Sequence, residues 1–467
     1  MQTVEQTEDQ DRIEEALSAA PEPDEQSAAT FRALLLNTLI SGVTSSFLWF
    51  ALTFWVYLET RSVVATAMIG AAYSVCAAIL GPVAGTFVDR HRKHDAMLVS
   101  SRIGTFCFFA AAAIYFAIPG DDLLRLRNPA FWALAAFTLA GSVAGMLRSI
   151  ALATCVTLLV PEDRRDRANG LIGMVSGVSF AITSVFSGLA VGMLSMGWAL
   201  GISCALTLAT WIHLHTIHVE EPVPVPNEGD PTGHVDVRGA LEAIRAVPGL
   251  MLLIGLASFN NLLGGVFMAL TDAYGLSLVS VEAWGILWGG ISLAFIVGGL
   301  LVAKFGLGRV PLRLIIVCNL INWIVCSLFT LRSSIVPLAI GMFVWLLMVP
   351  VIEAAEQTVL QRSIPFERQG RVFGFAQLVE NAAAPITAIA MGPLAERIFM
   401  PFMTDGQGAD WIGDWYGTGP ERGLALVFTL AGLIGVVVTL AVWGSRSYRR
   451  LRSAWLALED DAVPVPA

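Results

Sequence analysis

Charge is scarce in this chain. Only 14% of its residues are Asp, Glu, Lys or Arg, against about a quarter in soluble domains. Lysine is nearly missing: of 28 basic residues only Lys93 and Lys304 are lysines. This scarcity excludes an ordinary soluble enzyme and a charged disordered chain. A net charge of -9 leaves no positive footprint for phosphate backbones, so no nucleic-acid partner is expected. No CxxC pair occurs, and Cys76, Cys107, Cys155, Cys204, Cys318 and Cys326 all lie in apolar runs. They read as small apolar side chains rather than disulfides or zinc ligands. Neither a G-x-x-x-x-G-K-[ST] phosphate loop nor a G-x-S-x-G nucleophile turn is present, so neither ATP-driven nor hydrolytic chemistry is expected. His213, His215 and His218 lack the i,i+3 or i,i+4 spacing of helical metal ligands. The reading is of a chain that is not an enzyme and needs no metal or cofactor. Met1–Thr30 is acidic and has no basic start followed by an apolar core. It reads as a solvated tail, with the first span acting as its own uncleaved signal.

What the chain has instead is apolar length. A helix needs about 20 apolar residues to cross a bilayer, and such runs fall near 31–57, 63–88, 96–118, 130–160, 168–193, 197–217, 249–274, 282–303, 311–330, 335–361, 372–395 and 423–445. The fold expected is an all-α membrane protein of twelve spans. If both termini are cytoplasmic, only Arg61, Arg125, Arg127, Arg332, Arg397 and Arg422 fall outside and Arg148 falls within a span, leaving every other Lys and Arg inside. That bias orients the chain with both termini in the cytoplasm.

A polar stretch, 218–248, divides the spans six and six. The organisation expected is a tail (1–30), an N-terminal six-helix bundle (31–217), a cytoplasmic linker (218–248), a C-terminal bundle (249–445) and a second tail (446–467). Within the linker, Val237–Ala246 reads as an amphipathic helix at the membrane surface. The halves repeat. Pro161-Glu162-Asp163-Arg164-Arg165-Asp166-Arg167-Ala168-Asn169-Gly170 and Pro365-Phe366-Glu367-Arg368-Gln369-Gly370-Arg371-Val372-Phe373-Gly374 both fit P-x-[DE]-R-x-x-R-x-x-G, 204 residues apart. A looser repeat relates the stretch from Gly81 to Lys93 to that from Gly298 to Arg309. Two six-span halves with repeated loops indicate duplicated transporter architecture, with the halves rocking about a site near the midplane.

These loops carry a resemblance. Gly85, Asp89, Arg90 and Lys93 match the G-x-x-x-D-R-x-G-R-R signature between spans 2 and 3 of the major facilitator superfamily; Arg92 and His94 depart from it. The loops after spans 4 and 10 resemble the branch containing the enterobactin exporter and macrolide efflux pumps. The resemblance implies two pseudo-symmetric six-helix bundles working as a monomer. It also implies that the span 2–3 loop latches the halves together on the cytoplasmic side, with Asp89 meeting the start of span 11 near Arg371. Exporters of the superfamily often show G-P-x-x-G-G in span 5, but no proline occurs in 168–200.

Charge inside a span marks function, because a bare Arg at mid-depth costs about 2.5–3.5 kcal/mol on insertion scales. Arg148 lies thirteen residues before Pro161, ~20 Å from that end of the helix. The offset of 204 places it opposite position 352, beside Glu353, and an Arg148–Glu353 pair across the halves is expected. Glu356 shares a helix face with Glu353, and Glu380 lies in span 11 beside Asn381. Arg148, Glu353, Glu356 and Glu380 are the candidates for transport and proton coupling. Asn37, Trp49, Phe50, Asn260, Asn261 and Asn381 are the candidates for the substrate cavity. The function expected is proton-coupled export of a small amphipathic compound (a drug, siderophore or metabolite) through a bacterial inner membrane by alternating access. An importer or facilitator of the same fold stays open, as does a non-transporting membrane protein such as a lipid scramblase.

Overall fold

The computed structural model describes residues 25–60, 63–125, 127–189, 195–221 and 236–461. Most of the acidic tail, Arg61, residues 190–193 of span 5 with 194, and residues 222–235 of the linker lie outside the described residues. The chain is helical: α1 (Glu25–Thr60), α2 (Val63–Arg90), α3 (Lys93–Ala117), α4 (Pro129–Val143), α5 (Gly145–Leu159), α6 (Arg165–Leu189), α7 (Met196–Thr216), α8 (Val237–Ala246), α9 (Leu250–Leu278), α10 (Val281–Phe305), α11 (Pro311–Leu328), α12 (Ile335–Ser363), α13 (Phe366–Leu394), α14 (Gln407–Tyr416), α15 (Pro420–Gly444) and α16 (Arg446–Asp461). Among the described residues, ten helical stretches are long and apolar enough to cross a membrane, with α4 and α5 forming one of them. In lipid every backbone group must be satisfied within the segment, which a long helix does and a loop does not. Some helix starts carry polar caps: Asn128 accepts from Ala130 N at 2.9 Å ahead of Pro129, and Ser334 caps α12. α1 already begins at Glu25, so 25–30 are helical, and 446–461 form a helix.

Burial sorts the packing into three cores. One joins both sequence halves: Phe31, Leu34, Val88 and Ile150 pack with Ile254, Ile316, Leu360 and Phe373 at the end where the linker and α16 lie. The other two sit at the opposite end. One draws only on the first half, around Leu48, Phe108 and Phe131. The other draws only on the second, around Tyr274, Trp323 and Phe428. The molecule is therefore closed at the end where the linker and α16 lie and split at the other. The outward faces stay apolar: Ile286 and Met268 are 78% and 77% exposed, as suits lipid contact. The apolar face of α8 (Ala240, Ala243 and Ile244) is buried within the protein, and Ala243 and Ile244 belong to the shared core.

Glycine makes the closed end possible. A Cβ on Gly85 would lie 2.9 Å from Gly370 C and 3.1 Å from Arg371 Cα, and one on Gly81 2.8 Å from Gly374 O. The mirrored contact joins α6 and α10: a Cβ on Gly170 would lie 2.5 Å from Ala303 N. Gly170 and Gly374 are related by the 204-residue offset, and small residues of this kind let helices cross backbone to backbone. The repeat extends to hydrogen bonds. Arg165 donates to Thr157 O at 3.1 Å and Val160 O at 3.3 Å. Gln369, 204 residues on, donates to Gln361 O at 2.9 Å and Ile364 O at 3.0 Å. Both side chains satisfy carbonyls that the preceding helix leaves open.

Candidate functional site

Residues of both halves line a cavity of about 370 Å³, within the range of small-molecule sites. Thr38, Ser41, Ser45, Ser46 and Trp49 of α1 line it, with Tyr73 of α2, Arg148 of α5, and Gln377 and Asn381 of α13. Both halves thus contribute. Trp49 stacks on Tyr73 with ring centroids 4.7 Å apart. The lining is rich in hydroxyls, and the run Ser41-Gly42-Val43-Thr44-Ser45-Ser46 inside an apolar span was the signal that could have found it.

Arg148 is 2% exposed. The structure corrects its expected pairing with Glu353. Nη1 donates to Asn37 Oδ1 and Nη2 to Ser101 Oγ. Asn37 in turn donates to Thr210 O at 2.8 Å and is hydrogen-bonded to His213 Nδ1 at 3.1 Å. The physical reason is that the guanidinium fork is met by α1 and α3, neighbours of α5 on its own side of the cavity. Ser101 and His213 were invisible as partners, since neither stands near Arg148 in sequence. Arg148→Ala is expected to cost about 2–3 kcal/mol, since it removes two hydrogen bonds to a charged group. A lowered apparent melting temperature in detergent would register this. Arg148→Lys is expected to recover only part of the loss, because an ammonium lacks the planar fork.

The carboxyls cluster separately. Glu356 of α12 lies beside Glu380 of α13, with Glu353 close to both. Glu356 is buried at 8% exposure, and its Oε1 has no hydrogen-bond partner. Glu353 keeps solvent access. The remaining cavity candidates scatter. Asn37 lies behind Arg148, and Phe50 stacks on Phe54 with centroids 6.4 Å apart. Asn260 joins α9 to α11 through Asn319 at 2.8 Å and Trp323 at 3.2 Å. Asn261 donates to Ala257 O of its own helix at 3.1 Å. Trp49 and Asn381 are the two of the six that line the cavity.

The closed end centres on Asp89, whose side chain is 1% exposed. Its Oδ1 accepts from Gly370 N at 2.6 Å, and its Oδ2 from Arg371 N and Nε, both at 2.9 Å. This places a carboxylate against the positive first turns of α13 as well as its guanidinium. Lys93 is 3% exposed; it donates to Val88 O at 2.9 Å and sits 4.9 Å over the Phe366 ring. Arg90 faces solvent. Around this group a neutral network crosses the halves: Asn169 donates to Gln361 Oε1 at 2.8 Å and to Thr358 Oγ1 at 2.9 Å, and Thr157 donates to Gln369 Oε1 at 2.9 Å.

The comparisons agree on what scaffold this is. Residues 34–388 match the Major Facilitator Superfamily. Macrolide efflux protein A of Streptococcus pyogenes is 24% identical over 386 residues, covering 79% of this chain and 90% of that protein. Among solved structures, a bacterial homologue of the iron transporter ferroportin in an outward-facing state aligns with TM-score 0.67 at 14% identity, covering 89% of this chain and 99% of that one. The proton:xylose symporter XylE aligns with TM-score 0.62 at 13% identity, covering 92% and 100%. The chain belongs to the Major Facilitator Superfamily: it is a multi-pass membrane transporter, not an enzyme.

Proposed function

We propose that this transporter is a proton-driven exporter of a small amphipathic compound. It works as a monomer by alternating access in a bacterial inner membrane, with twelve spans in two six-helix bundles and both termini cytoplasmic. One observation carries the reading: a core shared by both halves at the end where the linker and α16 lie, two separate cores at the other, and a hydroxyl-rich cavity to which both halves contribute. That asymmetry is what a transporter needs in order to expose one site to one side at a time. With the termini inside, this conformer is open outward, and Asp89, Arg371, Lys93 and the glycine seam form its cytoplasmic gate. The Glu356–Glu380 pair, beside Glu353, takes the coupling proton. Likeness to a macrolide efflux protein supports the outward direction.

Inside-out vesicles holding a proton gradient test this. A panel of lipophilic drugs and siderophore-like compounds is added, and a pH-sensitive dye follows the gradient. At least one compound is expected to dissipate it in the wild type and not in Glu356→Gln. If no compound does, while labelled compounds still equilibrate across the membrane, the protein is a facilitator.

A further inference from the structure

Asp236 stands at the described end of the linker, in a stretch that reads as solvated spacer. The structure gives it three engagements. Its Oδ1 accepts from Gly239 N at 2.6 Å, capping α8. Its Oδ2 pairs with Arg371 Nη1. Its backbone N donates to Thr86 Oγ1 at 3.2 Å, and Thr86 donates to Pro82 O at 2.9 Å on α2. Arg371 is thus held by two carboxylates, Asp89 from α2 and Asp236 from the linker. The other described end of the linker is anchored beside it. Glu221 accepts from Lys93 N at 2.5 Å and His94 N at 2.7 Å, capping α3. Gly239 is part of the fit, since a Cβ there would run into the Asp236 carboxylate.

We infer that Asp236 is a positioning residue of the gate: through Arg371 it ties the linker helix to the α2–α13 lock, so opening this end requires α8 to unseat. The inference rests on the gate reading above. α8 leads through Val247 and Gly249 into α9, so a gate that releases Asp236 also frees the start of a helix of the second half. The linker then takes part in the transport cycle as more than a tether.

The test needs a reporter that does not depend on substrate. Cys155 is fully buried in the shared core. In a protein whose other five cysteines are serine, its alkylation rate by a membrane-permeant maleimide reports opening of this end. Asp236→Asn keeps the capping oxygen, since Asn caps as well as Asp, and takes from Arg371 the carboxylate oxygen and charge that it meets. It is expected to raise the rate several-fold. Gly239→Ala, which displaces the carboxylate, is expected to do the same. Asp89→Asn with Asp236→Asn should be non-additive, because the two carboxylates share the Arg371 guanidinium. A rate within twofold of wild type for both linker variants, with Asp89→Asn still accelerating, overturns the inference and leaves the gate intact. Acceleration by Asp236→Asn that adds independently to that of Asp89→Asn also overturns it. No acceleration by Asp89→Asn overturns the gate reading itself.

Discussion

Glu380→Gln is expected to reduce gradient-driven substrate accumulation to a ratio of about one, the value of an uncoupled carrier, while the protein remains folded and binds substrate. The carboxyls of Glu356 and Glu380 lie side by side on a helix pair. Such a pair can release and recover a proton as access alternates; an amide in either position cannot. Gln is isosteric, so the packing of α12 on α13 survives, and an unchanged melting temperature is the control. Glu356→Gln is expected to match it. Glu353→Gln removes only a neighbouring charge and should weaken coupling without abolishing it. Undiminished accumulation in both Glu380→Gln and Glu356→Gln would remove the pair from coupling.

Gly85→Val is the second large effect. The two helices touch backbone to backbone at Gly85 and Gly370, and a Cβ on Gly85 would lie 2.9 Å from Gly370 C. A valine cannot be accommodated without separating α2 from α13. Overpacking of this kind costs about 1–3 kcal/mol, and each 1.4 kcal/mol is about tenfold in an equilibrium. Because the clash exists only where this end is closed, the conformer open at this end should gain on the order of ten- to a hundredfold. The Cys155 alkylation rate should rise accordingly, and turnover should fall because the cycle stalls in one state. Gly170→Val at the mirrored α6–α10 crossing is expected to act in the same direction. A slow wild-type alkylation rate in Gly85→Val would mean that the seam does not control opening.

Much of the helix inventory was legible in the sequence. The run expected at 335–361 is Ile335–Ser363, and that at 311–330 is Pro311–Leu328. Apolar length is a local property, and lipid permits few ways to satisfy a backbone. The charges within spans were legible for the same reason: Arg148, Glu356 and Glu380 stand out because such positions are costly. The contact of Asp89 with Arg371 was reachable through a loop motif with few alternatives in its neighbourhood.

Partners were not legible. Arg148 and Asn37 are 111 residues apart, and which way each side chain points depends on the rotation of its helix. The 204-residue offset sets depth along an axis and says nothing about facing, so it led to Glu353 where the guanidinium had already been met by Asn37 and Ser101. Asp236 looked like one acid among several in a Pro- and Gly-rich linker, and only docking of α8 put it on Arg371. Amino-acid order by itself determined that this chain crosses a membrane repeatedly, that its halves repeat, and where charge is held in apolar surroundings. Tertiary structure alone decided which end is closed, which residues hold Arg148 and Arg371, and that a cavity forms from both halves. Those facts depend on helix rotation and on the fit of distant surfaces, and neither is encoded in any local stretch of chain.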